Sequence, residues 1–102
     1  MLNRVKDVVR YYIPFNDGDD ISILESTSRL QDVAIAAILK IYDLDLLEYL
    51  EENKGVVGES ERLKFIVKAI RRYNIDIYKE AKDPVAADKF VAFYGNPSKD
   101  RF

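Results

Sequence analysis

The sequence predicts an all-α fold, a small bundle of roughly four to six short helices around a buried central helix spanning about 28–42, with an extension to 53 left open. Three observations carry this. Between Val33 and Tyr42 only Lys40 is polar, and a helix apolar on nearly every side needs protein all round it, because a surface helix shows a single apolar stripe. Apolar residues elsewhere recur three and four apart. The connections between periodic stretches are short, which favours antiparallel neighbours.

The first helix takes Leu2, Val5, Val9, Tyr12 and Ile13 as its apolar side, with Val8 beside them and Tyr11 near the polar side; Pro14 ends it. Asn16-Asp17-Gly18-Asp19-Asp20 reads as a solvated turn. A calcium-binding loop fails there, since no register supplies both the glycine and the bidentate glutamate that an EF-hand needs. Ile21 to Leu24 fits either a helical turn capped by Asp20 or a short extended piece. Ser28 is expected to cap the central helix, with Gln31 completing a capping box. Leu30, Ala34, Ala37, Ile38 and Ile41 line one side of it, and Ile35, Leu39, Tyr42, Leu46 and Tyr49 another. Asp43 and Asp45 favour a break, with Asp45 and Glu48 capping a second segment that ends near Asn53-Lys54-Gly55.

After the connection Gly55–Gly58, Ser60 is expected to cap a helix running to about Tyr73, with an inward stripe of Leu63, Ile66, Val67, Ile70 and Tyr73. Asn74 suits its end. Ile75, Ile77, Tyr78 and Ala81 fit another short helix, although the same letters alternate as a strand would. Asp83-Pro84 is a cap followed by proline at the first helical position. Ala87, Phe90, Val91 and Tyr94 form that helix's apolar side, and Gly95 and Pro97 stop it. Residues 1–97 read as one helical domain and 98–102 as a C-terminal tail.

At 102 residues, the chain buries roughly 60–68% of its unfolded surface, enough for a core of its own. Its 33% of charged residues sum to a net charge of −2, so any attraction to nucleic acid or to anionic membrane has to come from a local patch. There is no cysteine and no histidine, which removes disulfides, thiolate nucleophiles, the usual zinc ligands and imidazole acid–base chemistry. No apolar block resembling a signal peptide opens the chain, and the run Val33–Leu39 is far short of the ~20 residues a bilayer requires. The expectation is a soluble, cytoplasmic protein without membrane contact. Absence of cysteine, a single glutamine and abundant Lys, Glu and Arg lean toward a thermophile. A short chain with no chemistry of its own also fits a small accessory or virus-encoded factor.

No catalytic set is expected. Ser26, Thr27, Ser28 and Ser60 have no base to activate them, and capping accounts for Ser28 and Ser60. Glu48 and Glu52, one helical turn apart, have the spacing to bind a hard cation but read as a solvated acidic face. Gly55 and Gly58 lack the lysine of a phosphate loop. No cofactor, metal or small-molecule substrate is assigned.

The helix from Glu61 to Tyr73 is more telling. At about 100° per residue, Lys64, Lys68, Arg71 and Arg72 gather opposite the inward stripe, with Phe65 near Lys68 and Arg72. Such a face can pack inside its own chain, anchor a protein partner, or stack on a base while its cations meet phosphates. Asp45–Asn53 and Glu61–Tyr73 have the order of a helix-turn-helix. Its turn, 54–59, is too long, however, and Glu59 and Glu61 put negative charge where base edges would sit. Acidic Asp43–Glu52 and basic Arg62–Arg72 suit head-to-tail association, or two helices offsetting each other within one chain. Seven tyrosines exceed what this core needs and favour interfaces, with Tyr11, Tyr12, Tyr49 and Tyr78 as candidates. The expected role is a non-enzymatic interaction or assembly protein, self-associating as a homo-oligomer. The alternative is a small nucleic-acid-binding protein using the basic face of helix 60–73.

Overall fold

The computed structural model describes residues 2–14, 21–53, 55 and 58–95, without the side chains of 2, 3, 21–25, 59 and 60. These residues form an all-α bundle: α1 (Leu2–Tyr12), α2 (Ile21–Ile41), α3 (Leu44–Asn53), α4 (Glu59–Arg71), α5 (Ile77–Lys82) and α6 (Pro84–Tyr94). The turn expected over 16–20 and the tail 98–102 lie outside the described residues.

Helix α2 starts earlier than its capping signals predict. It begins at Ile21, so Ser28 stands inside the helix instead of at its cap. Gln31 does not close a capping box. Its side-chain amide donates to the Ile13 carbonyl and ties α2 to the end of α1. Arg29 Nη1 likewise reaches across, to the Ala81 carbonyl at 3.3 Å. An internal serine costs only about 0.5 kcal/mol of helix propensity, less than such packing returns.

The break after α2 is real. Tyr42 takes a left-handed φ of 47°, which no continuing helix allows. The turn therefore begins one residue before the aspartates, and Asp43, not Asp45, caps α3: its Oδ1 accepts from the Leu46 N–H at 3.0 Å. At α4 the cap position belongs to Gly58, with no side-chain hydrogen bond, and Ser60 lies within the helix. The far end of α4 also differs from expectation. Tyr73 N–H and Asn74 N–H turn back to the carbonyls of Ile70 and Arg71, and Asn74 takes a φ of 62°. The helix closes at Arg71 and swings Tyr73 out of the inward stripe, leaving it exposed. Asp76 Oδ1 caps α5 through the N–H groups of Tyr78 and Lys79. Asp83 caps α6 through Val85 N–H at 3.0 Å, with Pro84 first in the helix. Gly95 N–H closes α6 on the Val91 carbonyl at 2.7 Å, where a Cβ would stand 2.6 Å from that oxygen.

Two helices share the centre. Helix α2 packs against α1, α5 and α6, while α1 packs against α2, α3 and α4. The decisive stretch of α2 is covered: Val33, Ala34, Ala36, Ala37, Ile38 and Leu39 are buried, and Ile35 is half-buried. Its alanines let neighbouring helices approach closely. Lys40, the polar exception, points outward over the α6 rings, 4.7 Å from the centre of Tyr94 and 5.9 Å from that of Phe90. Its stem covers apolar surface while its charge meets two ring faces. Apart from the hydroxyl of Tyr12, no polar or charged side chain is buried among the described residues.

Two stability measurements test this packing. Ala34→Leu forces bulk into a filled site and is expected to cost about 1–3 kcal/mol in denaturant unfolding. Asp83→Ala removes a cap and should cost about 1 kcal/mol, read as a Tm several degrees lower.

Candidate interaction surface

A row of aromatic rings joins α1, α3 and α4. Phe65 stacks on Tyr12, with ring centres 5.7 Å apart and planes 10° from parallel, and on Tyr49 at 5.8 Å and 14°. Tyr11 meets Tyr12 edge-on at 5.4 Å. An arginine stands at each end: Arg62 Cζ lies 4.2 Å from the Tyr11 ring centre and Arg72 Cζ 5.8 Å from that of Tyr49. Each such pair adds about 0.5–1.5 kcal/mol beyond its buried area. Tyr12 is buried and its hydroxyl donates to the Leu50 carbonyl at 2.9 Å. Burial pushes that hydroxyl above its ordinary value, Tyr11 and Tyr49 add to the shift, and Arg62 opposes it.

The row divides the residues named from the sequence. Tyr12 belongs to the core and has no surface to offer a partner, and Tyr11 is half-buried under Arg62. Phe65 is half-buried and engaged by two rings of its own chain. Tyr49 remains exposed. It shares a cavity of about 160 Å³ with Phe65, Lys68, Ala69 and Arg72. Lys64 and Arg71 are not part of this cavity. Lys64 Nζ lies 3.8 Å from Glu61, and Arg71 pairs with Asp76 at 3.0 Å beside the cap of α5. Tyr78 is exposed elsewhere, on a groove between α2 and α5.

Among the described residues, five exposed large apolar side chains are not among the interface candidates read from the sequence: Val85 and Phe93 on α6, and Tyr42, Leu44 and Tyr73. Tyr42, Leu44 and Tyr73, with Tyr49, are each between 39% and 50% exposed. Tyr42, Leu44 and Tyr73 share a shallow recess of about 480 Å³ with Ile41, Asp43 and Asp45, and the Tyr73 hydroxyl donates to Asp43. Leu44, isolated between two aspartates, was the available signal. The exposure of Tyr73 follows from the turn at Asn74, which pattern alone does not reveal.

Helix α3 completes the surface. Leu46, Leu47 and Leu50 face inward, which leaves Leu44, Asp45, Glu48, Tyr49 and Glu52 on the exposed side. Among the described residues none of those three carboxylates makes an ion pair, and none joins the acidic segment to the cations of α4; Glu51 pairs instead with Arg4 of α1 at 2.5 Å. Also among them, no three ligand-type side chains gather to hold a metal ion, and no helix is long and apolar enough to cross a membrane. What the surface offers is aromatic area, a carboxylate stripe and flanking cations.

Tyr12→Phe tests the row. Losing the hydrogen bond should cost about 0.5–1.5 kcal/mol at neutral pH. The contribution of the protonated hydroxyl is fully present below the unfolded value of 10.0 and is lost as pH rises through the higher folded value. The stability gap between the parent chain and the variant should therefore narrow as pH climbs past 10 in parallel denaturant titrations. Compared with family models, with curated proteins and with solved structures, the chain has no significant match, so its function is argued from its own residues.

Proposed function

We propose that this chain works by contact, not by catalysis: a non-enzymatic interaction protein that associates with further copies of itself, in the cytoplasmic setting that a cysteine-free chain suits. The observation that carries this reading is the clustering of Tyr42, Leu44, Tyr49 and Tyr73, all exposed, around the α3–α4 side of the bundle beside Lys68 and Arg72. Tyrosine and arginine dominate interface hot spots, because they bury large area at low entropic cost while keeping a polar end satisfied. Four of the seven tyrosines are exposed, and three of these four lie in this cluster.

The competing nucleic-acid reading needs a free ring and free cations on α4. Phe65 is stacked on two neighbours, Arg71 is paired with Asp76 and Arg72 lies over Tyr49, which weakens it. Sedimentation velocity decides between the two. The parent chain should sediment faster as concentration rises, and Leu44→Ser with Tyr49→Ser should shift the midpoint at least tenfold higher. Labelled DNA or RNA should show no binding at low salt. A concentration-independent monomer that binds nucleic acid, with affinity falling steeply as salt rises, would replace this reading with its rival.

A further inference from the structure

Resting on the self-association just proposed, we infer that copies join head to tail, the outer face of α3 on one copy seating in the α2–α5 groove of the next. The donor is a helix face with a definite chemistry. Leu44 and Tyr49 flank Asp45, Glu48 and Glu52 on it, and all five are exposed. The three carboxylates make no ion pair among the described residues. The acceptor is the groove of about 620 Å³ between the first half of α2 and α5. Leu30, Tyr78 and Ala81 give it apolar lining, and Arg29, Lys79 and Lys82 give it cations.

Charge selects this groove over the basic side of α4. There, only Lys68 is unpaired among the described residues: Arg62 and Arg72 lie over tyrosine rings, Lys64 pairs with Glu61 and Arg71 with Asp76. Lys79 and Lys82 are exposed and unpaired among the described residues. The groove's one carboxylate, Asp76, already accepts from Arg71 and from two backbone N–H groups. Burial would raise its pKa, yet those hydrogen bonds together hold it below the ordinary carboxylate value, so it stays paired and ionised. Two unpaired lysines, with Arg29 beside them on the Ala81 carbonyl, therefore face three carboxylates, and both surfaces carry apolar side chains.

Geometry lets one copy offer both surfaces. The groove uses residues 26–30 of α2, whereas α3 begins beyond its other end at Leu44. At about 1.5 Å of rise per residue, Arg29 stands roughly 18 Å before the last residue of α2. Two different surfaces meeting this way form a heterologous contact, which propagates as rings or open chains. One short helix buries less than a standard interface, so the association is weak and sensitive to salt.

Two charge-reversed variants test the pairing by sedimentation velocity at low salt: Lys79→Glu with Lys82→Glu, and Glu48→Lys with Glu52→Lys. Each alone should remain monomeric at concentrations where the parent chain associates. Mixed in equal amounts they should associate, since the intact α3 face of one meets the intact groove of the other and the two reversed surfaces are again of opposite sign. That association also proves both variants folded, and it should be lost at high salt. A parent chain that stays monomeric at every concentration overturns both this inference and the self-association beneath it. A parent chain that associates while either variant associates equally, or while their mixture does not associate, overturns the head-to-tail pairing alone. Binding of labelled RNA or DNA by the monomeric parent, lost on reversing Lys79 and Lys82, assigns the groove to phosphates and also overturns the pairing.

Discussion

The enclosure of Val33 to Leu39 is the constraint from which the other contacts follow. A helix with no polar side has to find neighbours on every side, and α1, α5 and α6 supply them. Ala34, Ala36 and Ala37 set the closeness of that approach, because small side chains bring backbones together and a larger one has nowhere to go. With α2 covered, α1 becomes the second centre and carries α3 and α4 on its remaining sides. Gln31 then links the two central helices where one chain segment ends and the next is under way. Lys40, the residue that follows the enclosed stretch, stands where its cation meets aromatic rings.

The aromatic row shows how one set of residues serves both fold and surface. Tyr12 and Phe65 hold α1, α3 and α4 in register from within, while Tyr49, next in the same stack, remains open to solvent. The surface is thereby preorganised. Its outermost ring, Tyr49, is already fixed by a neighbour and flanked by Arg72, so little rotational freedom is left to it. The arginines at the ends of the row answer why Arg62 and Arg72 stand either side of Phe65 in the sequence. They pack against rings of the same molecule.

Much of the architecture was legible in the sequence because it rests on patterns of apolar residues, which act through burial. The all-α class, the enclosed stretch and the Asp83-Pro84 start have local signals strong enough to survive folding, whereas the pattern after Ile41 fits a break and a continuous helix alike. The misplaced boundaries share one cause. Ser28 and Ser60 are good caps in isolation, yet packing and backbone geometry put the helix starts elsewhere, at Ile21 and at Gly58 with Glu59. Asp43 and Asp45 are equally suited to capping, and only the left-handed Tyr42 decides between them. On the candidate surface, the outward side of α4 could be read from helical periodicity. The pairing of Lys64 and Arg71, the stacking of Phe65 and the burial of Tyr12 depend on which helix lies alongside, and a single strand of letters does not hold that information.

No charged residue is buried among the described residues, and the phenol of Tyr12, the one polar group the core encloses there, is satisfied by a backbone carbonyl. An interior that holds no charge sets no condition on the sign of anything outside it. Carboxylates and amines on α3 and α5 can be exchanged, added or reversed without exposing an orphaned partner beneath them. The exterior is thus free to change its electrostatic identity while the scaffold stands still.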